Sequence, residues 1–363
     1  MRLIRVELGE RSYNVVAGEG LFPLCAQFLR EGNYSGKALV ITDRTVERLY
    51  AGSFMAALRE SGLALSQIAV PDGEEAKSLE WAGKIYDKAV EEKLDRRSPF
   101  IALGGGVPGD LAGFAAATYM RGAPFLQVPT TLLAQVDASV GGKVAINHPA
   151  GKNMIGAFHQ PDAVFADLET LKTLPARDYA SGLAEVIKTA CLDGGGWLDF
   201  LLGRRDLIAA RDLKVLGEIV SRCCRYKALI VAGDEREQGQ RMFLNLGHTF
   251  AHAIEAEGGF RLYTHGEAVA VGLLGALALS EEFAGLQKNV RQEVSELLSA
   301  FGLPLTAGKV DPGRTFATLW RDKKALNNKL RWVLLKAPGE PLVKDGLPPE
   351  AVRETLAALL KDG

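Results

Sequence analysis

The histidines of this chain are few, and most of them lie close together. Of five in total, His248, His252 and His265 fall within NLGHTFAHAIEAEGGFRLYTHGEAV. His248 and His252 stand four residues apart in a segment with helical spacing, so both imidazoles leave one helix face. His265 follows a Gly-Gly turn and opens a second helical segment, so two helix ends that converge here predict a metal site. The spacing favours His248 and His252 as co-ligands, and a purely structural His252 is the alternative.

A glycine-rich turn after an apolar run predicts a phosphate site. The segment FIALGGGVPGDLAGF reads as a strand, a turn at Gly104, Gly105 and Gly106, and a helix with Pro108 in its first turn, where a missing N–H is tolerated. Glycines let backbone amides approach a pyrophosphate, and the helix N-terminus adds positive potential. The usual dinucleotide fingerprint differs, because Asp43, the acidic candidate for a ribose, precedes these glycines. A tight turn without a ligand is the alternative.

Small and polar residues are concentrated in a second segment, VPTTLLAQVDASVGGKVAINHPAGKNMIG. It contains Thr130 and Thr131, Asp137, Lys143 and Lys152. Loops this rich in glycine and side-chain donors generally bind a ligand. The G-x-x-x-x-G-K-[ST] spacing of a P-loop is absent, which argues against an ATPase. A solvated hairpin is the alternative for each part taken separately.

Two kinds of scaffold must hold these residues. In the first half, short apolar runs such as KALVIT, SPFIAL and PFLQV alternate with helical stretches, the pattern of a parallel sheet covered on both faces. Farther along, apolar residues recur at helical spacing, for example over 183–202 and 244–257, apart from the strand candidate LRWVLL. We predict an α/β, Rossmann-like nucleotide-binding domain at 1–172, a mainly α-helical metal- and substrate-binding domain at 173–363, and an active site between them.

The composition argues against several classes of function. Apolar residues make up 47%, charged residues 24%, and the net charge is −1, so no extended nucleic-acid footprint is indicated. The N-terminal residues alternate apolar and charged side chains like an edge strand and lack the apolar core of a signal peptide. The longest apolar stretch, 268–279, is too short to span a bilayer, and the four cysteines show no C-x-x-C spacing. We expect a cytoplasmic protein without a nucleic-acid or membrane partner.

Several long motifs, in order along the chain, resemble those of the 3-dehydroquinate synthase family. They are GGGVPGDLAGFAAATYMRG, PTTLLAQVDASVGGKVAINHPAGKNMIGAFHQP, SGLAEVIK, DEREQGQRMFLNLGHTFAHAIE and HGEAV. The resemblance implies a lyase of the shikimate pathway that uses NAD⁺ and Zn²⁺ or Co²⁺. Such an enzyme converts 3-deoxy-D-arabino-heptulosonate 7-phosphate to 3-dehydroquinate and phosphate by transient oxidation, phosphate elimination, re-reduction and intramolecular aldol closure.

The resemblance also implies roles for individual residues. The metal ligands are Glu185, His248 and His265, which leaves His252 facing the substrate. Three protein ligands with open positions are typical of a catalytic metal. Catalytic roles fall to Asp137, Lys143, Glu237 and His252. The substrate carries a phosphate and a carboxylate, which cations and neutral donors bind, here Arg121, Asp137, Lys143, Lys152, Asn153, Lys188, Lys227, Arg241, Asn245, His252 and Lys323.

The NAD⁺ site that the family implies lies in the first half of the chain. Asp43 would hold the adenosine ribose, and its carboxylate would repel the 2′-phosphate of NADP. The other implied cofactor contacts are Asp72, Gly73, Glu74, Glu75, Ala76, Lys77, Gly105, Gly106, Val107, Pro108, Gly109, Asp110, Thr130, Thr131, Lys143, Lys152, Thr170, Leu171, Lys172 and Thr173. The family also implies a homodimer in which Arg121 reaches phosphate across the interface.

Three other functions account for parts of the pattern. A related cyclase acting on sedoheptulose 7-phosphate or glucose 6-phosphate meets no substrate carboxylate and should lose part of the Lys and Arg set, which this chain keeps. A metal-dependent polyol dehydrogenase releases NADH in each cycle and has little use for so many phosphate ligands. A non-enzymatic binding protein has no need of three metal ligands together with a cofactor loop.

Overall fold

The computed structural model describes residues 1–321 and 330–361. The chain divides into two compact units, of which the first comprises Met1–Leu174 and Leu216–Arg236 and the second Pro175–Val215 and Glu237–Gly363. Lys323, one of the substrate-binding candidates, lies outside the described residues. No helix within the described ranges combines the length and the apolarity needed to cross a membrane.

A seven-stranded sheet dominates the first unit. Its strands, together with those of a small hairpin, are β1 Arg2–Val6, β2 Tyr13–Gly18, β3 Lys37–Asp43, β4 Ala64–Val70, β5 Phe100–Gly104, β6 Phe125–Pro129, β7 Lys143–His148, β8 Gly151–Phe158 and β9 Ala163–Asp167. The order is β1-β2-β9-β6-β5-β3-β4, and only the edge pair β1 and β2 is antiparallel. β7 and β8 form the separate antiparallel hairpin. The predicted α/β fold with a mainly parallel sheet is confirmed.

Apolar side chains on both faces explain why the central strands are continuous hydrophobic runs. All five residues of β5 are buried. Phe100 and Ala102 join one apolar cluster, whereas Ile101 and Leu103 join the other, because successive side chains of a strand point to opposite faces. A parallel sheet covered on both faces has this alternation.

Two of the helices begin at side-chain caps that the sequence supplies. Ser78 accepts a hydrogen bond from the N–H of Trp81, and Thr264 and Glu267 form a reciprocal capping box. The helices are α1 Phe22–Glu31, α2 Arg44–Val46, α3 Gly52–Leu58, α4 Leu79–Glu91, α5 Gly106–Thr118, α6 Ala176–Asp193, α7 Trp197–Gly203, α8 Arg205–Ala209, α9 Leu213–Gly233, α10 His248–Glu257, α11 His265–Phe283, α12 Lys288–Ala300, α13 Pro312–Arg321 and α14 Pro349–Leu359. Short 3-10 and π turns lie at Gly9–Arg11, Glu47–Ala51, Arg59–Ser61, Glu74–Ala76, Tyr119–Arg121, Ala134–Ala138, Leu168–Lys172 and Gln240–Asn245.

The second unit is mainly helical, as predicted, but two of its helices are shorter than the apolar spacing indicates. The single helix predicted over 183–202 is wrong, because Gly194, Gly195 and Gly196 adopt φ values of 64°, 58° and 69° between α6 and α7. The helix predicted over 244–257 begins only after Gly247, whose φ is 80°. The strand predicted from LRWVLL is present as β10 Arg331–Leu335 and pairs with β11 Pro341–Asp345.

Two glycines allow α10 and α11 to cross at close range. A Cβ on Gly272 would lie 2.3 Å from the carbonyl oxygen of Gly247. A Cβ on Gly247 would lie 2.7 Å from the backbone nitrogen of Leu273. Because protein interiors are close-packed, a side chain at either position would force the two helices apart. His248 and His265 are the first residues of these helices, so they would be separated as well.

Substitution of Gly272 by alanine tests this crossing. We expect Gly272→Ala to lower the free energy of unfolding by about 3 kcal/mol, because the added methyl group meets backbone atoms that cannot yield cheaply. The matched control is Gly83→Ala in α4, where an added Cβ meets nothing within 4 Å. That change should raise the free energy of unfolding by about 0.5–1 kcal/mol. Denaturant unfolding measures both, and equal effects of the two substitutions would contradict the close crossing.

An ion pair ties residue 235 to the N-terminal part of the first unit. The guanidinium of Arg11 donates to Glu235 Oε1 and Oε2 at 2.5 and 2.7 Å, and Gln160 donates to the same carboxylate at 2.9 Å. The hydrogen bond from Arg11 is the main reason that the pKa of Glu235 lies below its ordinary value of 4.5. Because the Arg11 side chain is 60% exposed, we assign the pair only about 0.2–1 kcal/mol.

The pair should make a small, pH-dependent contribution to stability. A carboxylate whose pKa is lowered by folding stabilises the folded state above its unfolded pKa, and the benefit is lost as the pH falls through the folded value. The deficit of Glu235→Gln in free energy of unfolding should therefore be constant above about pH 5 and shrink below pH 4.5. Urea unfolding at several pH values measures it, and a deficit that grows on acidification would exclude this explanation.

Candidate functional site

The candidate nucleotide residues follow the carboxyl ends of the parallel strands. Asp43 ends β3, Gly104 ends β5, and Thr130 follows β6 directly. From β3 the chain continues to β4 on one side, whereas from β5 it continues to β6 on the other. The strand order therefore reverses between β3 and β5, and ligands of open α/β sheets bind in the crevice at such a reversal.

The triple glycine forms a closely packed cradle at this point. A Cβ on Gly104 would lie 3.2 Å from the Asp43 carboxylate, and one on Gly105 would lie 3.0 Å from the Thr131 methyl group. Gly106–Asp110 form the first residues of α5, and no side chain caps this helix. Its N-terminus is therefore suited to an anion such as a pyrophosphate.

Thr130 offers a polar atom to a ligand at the same strand ends. Its backbone N–H donates to the carbonyl of Gly104 at 2.9 Å. Its Oγ1 is buried and has no hydrogen-bond partner within residues 1–321 and 330–361. Buried hydroxyls are normally satisfied, so the cradle and this orphaned atom together fit a bound nucleotide.

A buried lysine joins the segment after β4 to the helix after β5. Lys77 Nζ donates to Asp110 Oδ2 at 2.7 Å and to Asn153 Oδ1 at 2.5 Å, and it lies 3.5 Å from Glu74 Oε1. Burial by itself lowers the pKa of Lys77, but the carboxylates of Asp110 and Glu74 raise it above its ordinary value. The lysine therefore stays charged and brings two acidic cofactor candidates together with Asn153, a substrate candidate.

The other cofactor candidates lie at two further places. Asp72 accepts hydrogen bonds from the backbone and hydroxyl of Thr45 at 2.9 and 3.1 Å, and it precedes Gly73 and the turn Glu74–Ala76. Burial raises the pKa of Asp43, and the neighbouring carboxylate of Asp72 raises it further. Thr170, Leu171 and Lys172 belong to the 3-10 helix after β9, and Thr173 contacts the hydroxyl of Tyr50.

Besides Asn153, the substrate candidates of the first unit comprise one ion pair and three further residues. Lys227 Nζ donates to the Asp137 carboxylate at 2.6 Å and to its carbonyl at 2.8 Å. Lys143 is exposed at the start of β7, and Lys152 lies in β8. Arg121 is exposed and has a φ of 69°, a conformation that an L residue adopts only with strain.

Three side chains of the second unit form a candidate metal centre. Within the described residues, one oxygen or nitrogen from each of Glu185, His248 and His265 lies within 4.8 Å of the other two. Glu185 Oε1 is 3.6 Å from His248 Nε2 and 3.4 Å from His265 Nε2. Two ligands of a tetrahedral metal, each at about 2.0–2.1 Å, lie about 3.3–3.4 Å apart. The group could therefore hold a divalent metal with little rearrangement.

His252 lies beside this group and is not part of it. Its ring stands edge-on to that of His248 with the centroids 5.4 Å apart, and the residue is exposed. The group therefore differs from the pairing of His248 and His252 that the i, i+4 spacing favours. Both rings leave one helix face, and the chain that returns from the Gly-Gly turn places His265 Nε2 3.4 Å from Glu185 Oε1.

Cations around the buried carboxylate keep it ionised. Burial raises the pKa of Glu185, but Lys188, whose Nζ is 2.5 Å from Oε2, and the two histidines bring it well below its ordinary value. Burial and Lys188 lower the pKa of His248 to about 3, so its ring is neutral. Burial lowers the pKa of His265, but Glu185 and Glu255 outweigh it and raise the value to about 10. A metal that binds here displaces a proton from His265.

Partners at Nδ1 orient both imidazoles. His265 Nδ1 lies 3.4 Å from Glu255 Oε2, and His248 Nδ1 lies 3.3 Å from the carbonyl oxygen of Leu246. Such contacts set the tautomer and ring orientation of metal-binding histidines. In both cases Nε2 is left to face Glu185.

A glycine contact brings α6 and α11 close enough for the three ligands to meet. The N–H of Gly266 donates to Ser181 Oγ at 2.9 Å, and a Cβ on Gly266 would lie 2.0 Å from the carbonyl of Ser181. Ser181 stands one helical turn before Glu185 and Gly266 directly follows His265, so the close approach brings carboxylate and imidazole together.

The remaining candidates of the second unit lie in or near the 3-10 helix Gln240–Asn245. Arg241 is 2% exposed. Asn245 Nδ2 donates to Glu237 Oε1 at 2.8 Å, and Glu237 has a φ of 58°. The structure thus joins these two candidates directly.

Comparison with known proteins places the chain in a family. The family described as 3-dehydroquinate synthase N-terminal matches residues 67–181, and that described as 3-dehydroquinate synthase C-terminal matches residues 182–325. A 3-dehydroquinate synthase of Halorhodospira halophila is 46% identical over 356 residues, which are 98% of this chain and 99% of that protein. The chain belongs to the 3-dehydroquinate synthase family.

Solved structures of two cyclases resemble this family member over nearly its whole length. A 2-deoxy-scyllo-inosose synthase, complexed with carbaglucose-6-phosphate, NAD⁺ and Co²⁺, has a TM-score of 0.90 at 25% identity and covers 99% of this chain and 100% of its own. A 2-epi-5-epi-valiolone synthase from Streptomyces hygroscopicus, with NAD⁺ and Zn²⁺ bound, has a TM-score of 0.87 at 25% identity, with coverage of 97% and 98%. The fold is shared with both.

Two residues that support these sites were missed in the sequence. Glu255 stands seven residues after His248, a spacing that returns to the same helix face and could have drawn attention to it. Gln135 is fully buried, and its Nε2 lies 3.1 and 2.9 Å from the carbonyls of Pro129 and Asp167 and 3.2 Å from Thr170 Oγ1. It links the strand ends that carry Thr130 and Thr170, and nothing in the sequence pattern distinguishes it.

Substitution of Glu255 tests the orientation of His265. Mutation of a carboxylate that orients a metal-binding histidine typically weakens metal binding by about 10–100-fold. We expect Glu255→Gln to weaken Zn²⁺ binding within that range. The matched control is Glu257→Gln on the same helix, whose carboxylate faces Arg314 at 2.8 Å. Competition with a chromophoric chelator measures both affinities. Equal affinities of wild type and Glu255→Gln would contradict the role.

Proposed function

We propose that this protein catalyses the 3-dehydroquinate synthase reaction, which converts 3-deoxy-D-arabino-heptulosonate 7-phosphate to 3-dehydroquinate and phosphate. The observation that carries the proposal is the group of His248 and His265 around the buried Glu185, in a chain of this family. The nucleotide cradle of the first unit supports it, because the reaction needs a hydride acceptor that is restored within each turnover.

The residues present fit a divalent metal and NAD⁺. Glu185, His248 and His265 would hold Zn²⁺ or Co²⁺, and the N-terminal turn of α5 with Thr130 would hold the pyrophosphate end of the cofactor. When bound, the metal supplies charge stabilisation at a substrate oxygen, and NAD⁺ supplies reversible hydride acceptance. Asp43 lies at the end of β3 beside the cradle, where its carboxylate would bind a ribose and disfavour a 2′-phosphate.

Buried cations prepare the site for an anionic substrate. Lys188, Lys227 and Arg241 are 2%, 9% and 2% exposed, and burial of a charge is costly unless an opposite charge accompanies it. Asp137 and Glu185 provide part of that compensation, and a carboxylate and phosphate would add to it. We assign substrate binding to Arg121, Asp137, Lys143, Lys152, Asn153, Lys188, Lys227, Arg241, Asn245, His252 and Lys323.

Acid-base and positioning roles fall to four residues. His252 is exposed at the edge of the metal group, so it can reach a bound molecule. The contact of Asp137 with Lys227 and that of Glu237 with Asn245 hold donor side chains in place. Lys143, exposed at the start of β7, supplies a further cation. We assign catalysis to Asp137, Lys143, Glu237 and His252.

The proposal also covers the roles of the two domains, the oligomeric state and the cellular location. Cofactor binding resides in 1–172, and metal and substrate binding mainly in 173–363. The working unit is a homodimer, with Arg121 on a strained and exposed turn as the residue that reaches across. The protein acts in the cytoplasm, in the shikimate pathway.

The test is to follow phosphate and NADH together. Metal-loaded protein is incubated with NAD⁺ and the heptulosonate phosphate, and we expect phosphate release without lasting NADH absorbance. Glu185→Gln should lower the rate by about a thousandfold, because loss of several kcal/mol of charge stabilisation has that effect, whereas Glu257→Gln should be near wild type. If the protein releases no phosphate from this substrate but does release it from sedoheptulose 7-phosphate or glucose 6-phosphate, the chain is another cyclase. NADH that accumulates with a polyol would indicate a dehydrogenase.

A further inference from the structure

An irregularity in the hairpin of the first unit leaves Asn147 of β7 outside the strand pairing. β7 and β8 pair regularly from Lys143 with Phe158 to Ile146 with Ile155, and the register then shifts before His148 pairs with Gly151. On β7 the residue at the shift is Asn147, and residues 152–154 of β8 lie opposite it. Such irregularities leave a residue outside the ladder and often re-aim side chains next to active sites.

Asn147 uses its released groups to bind two neighbouring segments. Its backbone N–H donates to the carbonyl of Lys77 at 2.8 Å. Its Nδ2 donates to Glu74 Oε1 at 2.8 Å, and its Oδ1 accepts from the backbone N–H of Asn153 at 2.9 Å. The single side chain therefore satisfies a donor on the hairpin and an acceptor on the turn after β4.

The contact with Asn153 fixes a backbone conformation that is otherwise unfavourable. Asn153 has a φ of 56°, which costs energy for a residue other than glycine. In this conformation its Oδ1 accepts from Lys77 Nζ at 2.5 Å. The network is closed, since Lys77 lies on the segment that Asn147 binds through its backbone.

We propose that Asn147 is a positioning residue that couples the NAD⁺-binding turn 72–77 to the substrate-binding Asn153. The inference rests on the proposed function for the roles of these two segments. Asn147 acts through Glu74, Lys77 and Asn153. Its loss relaxes the turn and the hairpin together, so cofactor and substrate binding weaken in the same variant.

Two substitutions separate the two halves of the carboxamide. Asn147→Ala removes both side-chain contacts. It should raise the Kd for NAD⁺ and the KM for the heptulosonate phosphate by about tenfold each, because each partner loses one hydrogen bond. Asn147→Asp keeps an acceptor for the N–H of Asn153 but places a carboxylate opposite Glu74. It should raise the Kd for NAD⁺ by about tenfold and leave the KM within about threefold of wild type. Asn289→Ala is the control, because Asn289 also donates to a glutamate, Glu293 at 3.1 Å, on an exposed helix.

Calorimetric titration of NAD⁺ into the full-length, metal-loaded and NAD⁺-free protein and steady-state kinetics give the two constants, and thermal unfolding establishes that each variant folds. If Asn147→Ala fails to fold, the nearly isosteric Asn147→Asp decides. The proposal is overturned if a folded variant leaves both constants within twofold of wild type, or if Asn147→Asp raises the KM as much as the Kd. If the wild-type protein releases no phosphate, the proposed function is contradicted instead. The change in the Kd for NAD⁺ would then still test the role of Asn147 at the turn 72–77.

Discussion

The buried carboxylate of Glu185 is the constraint on which the second unit depends. A carboxylate at 1% exposure needs compensating charge, because burial of an unpaired ion costs several kcal/mol. Lys188 supplies one positive charge at 2.5 Å, and two imidazoles face the other oxygen. This arrangement favours binding of a divalent cation. The metal would add positive charge beside the buried carboxylate, and the imidazole nitrogens already lie at the spacing that its ligands need.

Close helix packing makes that arrangement possible. The three ligand candidates come from three different helices, and side chains as short as histidine meet only if the backbones approach closely. Gly266 against Ser181 and Gly272 against Gly247 provide the approach, because a Cβ at either glycine would lie within about 2.3 Å of a carbonyl oxygen. Glycine in these helices is unfavourable for helix formation, so its presence here serves packing.

The first unit organises its ligands by topology. In a parallel sheet all carboxyl ends lie at one edge, so residues that are distant in sequence become neighbours there. Asp43 and Gly104 lie at adjacent strand ends, and Lys77 joins Asp110 and Asn153 across 33 and 76 residues of chain. Buried polar side chains then fix the loops against each other, as Gln135 does between the ends of β6 and β9.

The sequence by itself determined the fold class, the strands of the sheet and the family, because apolar periodicity and long motifs are local properties of the chain. Its motifs also gave Glu185, His248 and His265 as the ligand candidates, although spacing alone paired His248 with His252. Only the tertiary structure showed that these three side chains lie within 4.8 Å of one another, and that Glu255 and Asn147 contact the candidate sites. These contacts depend on glycine turns and helix crossings that bring remote segments within hydrogen-bonding distance, and such distances do not follow from the separation of residues along one chain.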